Sequence, residues 1–103
     1  VTVMSKQQWQ KACQQVNADL DWLTRRANLL IDGYEFSADD VGKTISIGTE
    51  LKLEITGETD PCKKMEMAHT GLEQALTPDW RGGVTCRVIQ AGIIQPNDII
   101  TID

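Results

Sequence analysis

The sequence predicts a mainly β domain with flanking helices, in which an antiparallel sheet curls toward a barrel. Two observations support this prediction. Residues 44–47, 51–56 and 84–88 alternate apolar and polar side chains, which is the period of a strand with one wet face. Only one longer segment, near the beginning, shows helical spacing, and strands do not alternate regularly with helices.

The length, composition and net charge of the chain exclude several classes of protein. With 103 residues, we expect a single domain over residues 1–103. The chain is 41% hydrophobic and 24% charged, with no secretory signal and no run of the ~20 apolar residues that cross a bilayer. A net charge of −5 opposes general binding to nucleic-acid phosphates. We therefore expect a soluble, cytoplasmic protein that binds neither membranes nor nucleic acids.

The first part of the chain predicts a strand followed by one long helix. VTVM reads as the strand, and Ser5 with Gln8 forms an S-x-x-Q capping box that opens the helix. Apolar residues then recur from Trp9 to Leu23 at three- and four-residue spacing, which corresponds to about five turns. Cys13 falls within this stripe, so we expect it to be buried.

The rest of the chain predicts short elements. The doublet Asp32-Gly33 is a turn signal after an apolar run, and Pro96-Asn97-Asp98 is another. We expect Cys86 to point into the core with Val84 and Val88. In chain order, the predicted elements are an interior strand at 29–31, a hairpin with strands at 44–47 and 51–56, helices at 62–68 and 70–76, a strand at 84–88 and a closing strand at 99–102.

Cys62 is the candidate functional residue, in the stretch TGETDPCKKM. Asp60 suits a helix N-cap and Pro61 the first helical position, which places Cys62 where backbone N–H groups have no intrahelical partner. That position and Lys63 would stabilise a thiolate, whereas Glu58 and Asp60 would oppose it. The residues therefore leave two interpretations open, a reactive thiol and a packed or merely exposed cysteine.

Other chemistries have weaker support. Cys13, Cys62 and Cys86 are an odd number without close spacing, which favours reduced thiols over a disulfide scaffold or a zinc site with His69. His69 is the single histidine and no G-x-S-x-G elbow is present, which disfavours Ser/His/Asp hydrolysis. We expect His69 to face solvent. Glycine-rich phosphate-binding motifs are also absent.

Nearly the whole chain resembles the molybdenum cofactor sulfurase C-terminal domain family, known as MOSC domains. The order and spacing of the blocks, with the Pro-Cys pair in the middle, carry the resemblance. The blocks are "TRRANLLIDG" at 24–33, "VGKTISIG" at 41–48, "LEITGETDPCKKM" at 53–65, "GLEQAL" at 71–76, "RGGVTCRVI" at 81–89 and "AGIIQPNDIITI" at 91–102.

The resemblance implies an antiparallel β-barrel of the MOSC type and a family cysteine that falls on Cys62. In cofactor-bound enzymes of the family, the equivalent thiolate ligates molybdenum in a pterin cofactor, and such enzymes reduce N-hydroxylated compounds. Other members have been proposed to carry sulfur as a persulfide, supplied by a donor such as a cysteine desulfurase. Molybdenum ion binding and pyridoxal phosphate binding are both properties that the resemblance suggests.

The resemblance also implies which residues hold a cofactor. Arg25, Arg26 and Asn28 match an Arg-Arg-x-Asn block, and Arg81 begins an Arg-Gly-Gly loop. With Lys63, these residues would bind the anionic phosphate and pterin. Cys62 would be the molybdenum ligand if the cofactor is bound. Cys13 and Cys86 match no family position.

Two departures from the family pattern bear on function. Family domains usually extend further before the point that Val1 matches, which leaves open whether the barrel is complete; a second copy in a homodimer could cover an open edge. Asn97 replaces a common glycine, a small change because Asn tolerates left-handed backbone. Three functions remain: a sulfur carrier or molybdenum-cofactor-binding domain, which we favour, a shortened and catalytically silent binding domain, and a molybdenum-dependent reductase.

Overall fold

The computed structural model describes residues 1–21, 27–59 and 63–103, as six strands, three α-helices and two 3-10 helices. The strands are β1 (Thr2–Ser5), β2 (Leu29–Ile31), β3 (Thr44–Ile47), β4 (Leu51–Glu58), β5 (Val84–Gln90) and β6 (Ile100–Ile102). The α-helices are α1 (Lys6–Gln15), α2 (Lys63–Ala68) and α3 (Leu72–Leu76), and the 3-10 helices are Ala38–Asp40 and Pro78–Trp80. Among these residues, no helix could span a membrane.

The strands form one curled sheet, a half-barrel, in the order β2-β1-β5-β4-β3-β6. The prediction of a mainly β fold with flanking helices is confirmed, but a purely antiparallel sheet is wrong. Strands β1 and β2 run parallel, with Val3 opposite Leu29, while the other four pairs are antiparallel. The reason is that α1 connects β1 to β2, and a helical crossover returns the chain in its starting direction.

The predicted long N-terminal helix is also wrong, because α1 ends at Gln15 after 10 residues. Asn17 adopts left-handed backbone with a φ of 54°. The Asn17 N–H donates to the Gln14 carbonyl at 3.2 Å, and the Ala18 N–H donates to the Cys13 carbonyl at 2.9 Å. This pair of bonds is the Schellman ending, which asparagine supports. The far end of the predicted helix, at Leu23, lies outside the described residues.

Two strand predictions need smaller corrections. The segment Leu29–Ile31 is an edge strand of the described sheet rather than an interior strand. Val88 pairs with Leu53 and therefore shares its inward face, but Val88 is 47% exposed because the last residues of β5 extend beyond the core. The hairpin of β3 and β4 is confirmed, and Asn97 has a φ of 73°, as its tolerance of left-handed backbone predicts.

The core consists of two buried clusters, one on each face of the sheet. The first lies inside the curl and contains Cys86, and the second lies between the sheet and the helices and contains Cys13. The predicted burial of both cysteines is confirmed, at 8% and 7% exposure. The first cluster includes Val3, Ile31, Phe36, Ile45, Ile47, Leu53, Ile55 and Val84, and the second includes Met4, Trp9, Ala12, Met65, Leu72, Ala75 and Leu76.

One carboxylate is buried beside the first cluster. Asp40 accepts hydrogen bonds from the Tyr34 hydroxyl, from the Ser37 backbone N–H at 2.9 Å and from Lys43 Nζ at 3.1 Å. Burial alone would raise the pKa of Asp40, but these hydrogen bonds and the charge of Lys43 outweigh it and hold the pKa below its ordinary value. The ionised form of Asp40 is therefore the one that stabilises the fold.

The depressed pKa of Asp40 predicts acid sensitivity. Its contribution is complete above the pKa of an unfolded Asp, about 3.9, and is lost as the pH falls through the lower folded-state value. We expect Asp40→Asn to lower the free energy of unfolding by about 1–3 kcal/mol at pH 7 and to flatten its decline below about pH 4. Urea unfolding between pH 2.5 and 7 measures both the loss of stability at pH 7 and its dependence on pH. Asp39→Asn is the matched control, because Asp39 is exposed. Equal effects of the two variants would mean that the buried carboxylate of Asp40 does not stabilise the fold.

Candidate functional site

The site residues predicted from the sequence fall into two groups, those outside and those within the described part of the chain. Cys62, Arg25 and Arg26 lie outside the described residues, so their roles stay predictions. Asn28, Lys63 and Arg81 are described. The site is therefore built from the chain on either side of Cys62 and from the Arg-Gly-Gly loop.

The segment that leads to Cys62 lies against the Arg-Gly-Gly loop. Glu58 pairs with Val84 across β4 and β5, and the Thr59 backbone N–H donates to the Gly83 carbonyl at 3.0 Å. On its other side, Gly83 packs against β1, where a Cβ on Gly83 would lie 2.5 Å from the Val3 carbonyl oxygen. Gly83 also has a φ of 94°. The glycine thus allows the loop to lie close to two strands at once.

The Arg81 side chain is directed inward and is only 15% exposed. Its Nη1 donates to Gln15 Oε1 at 2.6 Å and to the Ala75 carbonyl at 3.0 Å. Its Nη2 lies 3.9 Å from the carboxylate of Asp79, a residue whose side chain is 83% exposed. One end of the guanidinium is therefore held by neutral acceptors, and the other end meets a solvated acid that offsets little of its charge.

Two side chains of this region, those of Thr59 and Arg81, each carry a buried polar atom without a partner. Within the described part of the chain, Arg81 Nε and Thr59 Oγ1 are sealed from solvent and have no hydrogen-bond partner. A buried donor left unpaired costs about 1–3 kcal/mol, and more when it is charged. An anion is the group that best satisfies an unpaired guanidinium N–H such as that of Arg81.

The loop before Arg81 has an unusual backbone. Asp79 and Trp80 both have positive φ, at 55° and 59°, which is rare for a bulky residue such as Trp. Gln8 Nε2 donates to the Asp79 carbonyl at 2.7 Å, so a side chain of α1 holds this conformation. The same amide bonds both backbone groups of Phe36, at 2.8 and 3.0 Å.

The predicted capping box of Ser5 and Gln8 is only half formed. Ser5 does cap α1, with its hydroxyl accepting from the Gln8 N–H at 3.3 Å, but the Gln8 side chain does not return to Ser5 as a capping box requires. It reaches Phe36 and Asp79 instead. The S-x-x-Q spacing identified where the helix begins, but not the contacts that the Gln8 amide makes far along the chain.

Lys63 and Asn28 occupy different surroundings. Lys63 is the exposed first residue of α2, directly after Cys62. Asn28 Oδ1 accepts from the Thr2 N–H at 2.8 Å, which ties β2 to β1. Asn28 also lines an apolar cleft of about 460 Å³ between β2, β3, β6 and the loop at 94–98. Neither Lys63 nor Arg81 lines that cleft.

The two described cysteines are poor nucleophiles. Burial raises the pKa of the Cys86 thiol to about 11, against a small opposing effect of the N-terminal ammonium group. Burial also raises the pKa of Cys13, in spite of a hydrogen bond to the Leu20 backbone. Both thiols are thus protonated near neutral pH. Cys13 lines a cavity of about 500 Å³ beside α1, together with Trp9 and Leu20.

The prediction that His69 faces solvent is wrong. His69 is half-buried, with Nε2 lying 3.3 Å from the Val16 carbonyl, so it joins the end of α1 to the turn between α2 and α3. Throughout residues 1–21, 27–59 and 63–103, no three His, Cys, Asp or Glu side chains converge on a point that could hold a metal ion.

Comparison with known proteins identifies the family of the chain. The model of the MOSC domain matches residues 1–101, and the chain therefore belongs to the MOSC domain family. MOSC domains are associated with the molybdenum cofactor. No curated protein matches the chain.

Two solved structures share the fold. The chain is similar to YiiM from Geobacillus stearothermophilus, with a TM-score of 0.81 and 20% identity, over 100% of this chain and 53% of that one. It is equally similar to the YuaD protein from Bacillus subtilis, with a TM-score of 0.81 and 18% identity, over 99% of this chain and 62% of that one. The chain thus spans a little over half of each of these two proteins. Sequence identity of 20% or less shows that the fold is shared, and nothing beyond the fold.

Proposed function

We propose that this chain is a sulfur-carrier or molybdenum-cofactor-binding domain that uses Cys62 as a reactive thiol in a positively charged pocket. The observation that supports the proposal most is the unpaired Nε of Arg81, buried in a loop that contacts the residues just before Cys62. A buried guanidinium N–H without an acceptor suits an anion, and a thiolate, a persulfide and a phosphate are all anions.

Electrostatics around Cys62 support an ionised thiol. Arg81 brings a mostly buried charge, and Lys63 brings an adjacent exposed one. Cations near a thiol lower its pKa because they stabilise the thiolate. Arg25 and Arg26 would add to this effect if they lie where the family motif implies. Two described acids oppose this effect, Glu58, which is half-buried at the end of β4, and Asp79, which lies 3.9 Å from Arg81 Nη2.

In the sulfur-carrier form, Cys62 accepts a sulfur atom from a donor persulfide. The Cys62 thiolate attacks the outer sulfur of the donor's cysteine persulfide and forms a new S–S bond. The donor's own S–S bond breaks, and its cysteine leaves as a thiolate. The transferred sulfur keeps its oxidation state, so no external oxidant or reductant is consumed.

In the cofactor-binding form, Arg81 and Lys63, together with Arg25, Arg26 and Asn28, would hold the phosphate and the pterin, and Cys62 would be the metal ligand. The unpaired Arg81 Nε fits an anionic group of this kind. The molybdenum, when bound, would supply redox chemistry toward N-hydroxylated compounds. The reductase is therefore the same site with its metal, and elemental analysis of protein from a host that makes the cofactor distinguishes it.

Sulfur loading tests the proposal directly. After incubation with a cysteine desulfurase and cysteine, we expect site-resolved mass spectrometry to find an added sulfur on Cys62, and little on the buried Cys13 and Cys86. Equal loading of all three cysteines would indicate non-specific chemistry. Neither sulfur nor molybdenum on Cys62 would favour the silent binding domain instead.

We also propose that a second copy covers the open edges of the half-barrel. Each of β2 and β6 has one strand neighbour among the described residues, and the apolar cleft lies between them. Ile93 and Ile99 are 89% and 79% exposed close to that cleft in the chain. Sedimentation equilibrium is expected to give a dimer that Ile99→Lys weakens, and a monomer at all concentrations would contradict this part of the proposal.

A further inference from the structure

We propose that two glutamines of α1, Gln8 and Gln15, are positioning residues that fix Arg81 in the orientation needed for the anion site. This inference rests on the proposed function, because it assigns a role to contacts that surround the same arginine. It concerns helix residues that lie far from Cys62 along the chain.

The two glutamines hold the Arg81 loop at two points. Gln8 Nε2 bonds the Asp79 carbonyl at 2.7 Å, and Gln15 Oε1 accepts from Arg81 Nη1 at 2.6 Å. Seven residues separate them, which is two helical turns, so both project from the same side of α1. The helix therefore contacts the loop through the backbone before Arg81 and through the guanidinium itself.

Each contact has a separate physical effect. The Gln8 bond fixes the carbonyl of Asp79, which lies in a pair of consecutive residues with positive φ. Such conformations cost about 1–3 kcal/mol each and persist where neighbouring groups hold them. The Gln15 bond, together with the Ala75 carbonyl, occupies Nη1 and leaves Nε as the N–H without an acceptor.

The orientation matters because an arginine binds a tetrahedral anion best through two adjacent N–H groups held in a fixed fork. With Nη1 occupied, the remaining fork is the edge that carries Nε and Nη2. Asp79 lies 3.9 Å from Nη2, so an anion bound at this edge would compete with a carboxylate that is itself largely in solvent. A freely rotating Arg81 would lose this preference and would spend rotamer entropy on each binding event.

The position of Arg81 can be tested by comparing how fast a charged and a neutral alkylating reagent modify Cys62. This comparison does not depend on how exposed Cys62 is. The same Cys62 thiolate attacks the CH2 carbon of iodoacetate and of iodoacetamide and displaces iodide from each. The ratio of the two rates therefore cancels the effects of accessibility and of the thiol pKa, and reports the local electrostatic potential. We expect Gln15→Ala to lower this ratio by about twofold to tenfold, the range that one lost hydrogen bond represents. Orthophosphate, used as a protecting anion, should protect Cys62 less by a similar factor.

The matched control is Gln14→Ala. Gln14 is the adjacent exposed residue of α1, and its side chain makes no hydrogen bond with the described residues. This variant should keep the wild-type ratio. Gln8→Met should act in the same direction as Gln15→Ala, and thermal unfolding checks that each variant is folded. Because Gln15 is exposed, its substitution keeps the test valid even if Gln8→Met does not fold.

The possible failures are distinguishable. If Arg81→Gln lowers the ratio but Gln15→Ala and folded Gln8→Met leave it at the wild-type value, the positioning role is overturned and the anion site stands. If Arg81→Gln also leaves the ratio unchanged, then Arg81 does not act on Cys62, and the proposed pocket fails together with this inference. A ratio that falls equally in Gln14→Ala would also overturn the positioning role.

Discussion

The Cys62→Ser protein is expected to accept no sulfur from a cysteine desulfurase and to retain no molybdenum when produced in a host that makes the cofactor. A serine hydroxyl is not ionised near neutral pH and cannot form a persulfide, so the loss should be complete within the detection limit. Arg81, Gln15 and the fold itself are left intact by this substitution, so thermal unfolding should change by little.

The controls for this variant are Cys13→Ser and Cys86→Ala. Both cysteines are buried in the core, and burial raises the pKa of each thiol. We expect both variants to load sulfur on Cys62 as the wild type does, although each should be less stable because a buried group is altered. Loading that survives in Cys62→Ser but disappears in one of the controls would assign the chemistry to a different cysteine.

Substitution of Gly83 is expected to have the largest effect on stability. An added Cβ at Gly83 would lie 2.5 Å from the Val3 carbonyl oxygen and 3.3 Å from Met4 Cα, both in β1. The φ of 94° also disfavours any side chain. We expect Gly83→Ala to lower the free energy of unfolding by about 2–5 kcal/mol, as the sum of backbone strain and overpacking.

Gly42→Ala separates these two contributions. Gly42 has nearly the same φ, 92°, but nothing lies within 4 Å of the Cβ that it would gain. Urea unfolding should therefore show a loss of about 1–2 kcal/mol in Gly42→Ala, from backbone strain alone, and a clearly larger loss in Gly83→Ala. Equal losses would mean that β1 moves away easily, and that the Arg-Gly-Gly loop is not held close to it.

The local features of the fold were predictable because they depend on neighbours in the sequence. The hairpin of β3 and β4 follows from alternation, and the turn at Asn97 follows from its tolerance of left-handed backbone. The end of α1 was missed because the apolar stripe continues past Gln15, while the stop depends on one left-handed residue, Asn17. The spacing of apolar residues contains no information about the backbone conformation of a single polar residue such as Asn17.

The pairing of β1 with β2 and the surroundings of Arg81 could not be read from local patterns. Parallel pairing depends on how α1 packs, which is a property of the whole fold. The Arg-Gly-Gly motif predicted Arg81 as a site residue. Nothing near it in the sequence identifies Gln8 and Gln15 as the residues that bond the Asp79 carbonyl and the Arg81 guanidinium. Their separation by two helical turns was the available signal, and it acquires meaning only once the loop is placed beside α1.

Each function proposed for Cys62 requires a thiol that is open to small molecules and ionises more readily than an ordinary cysteine. The most direct measurement is the rate of iodoacetamide alkylation of each cysteine against pH, followed by site-resolved mass spectrometry. We expect Cys62 to titrate below about 8.5, the value of a free cysteine, and Cys13 and Cys86 to react slowly and titrate above it. If Cys62 reacts as slowly as the two buried thiols, with the same pH dependence, then its thiol is neither accessible nor activated.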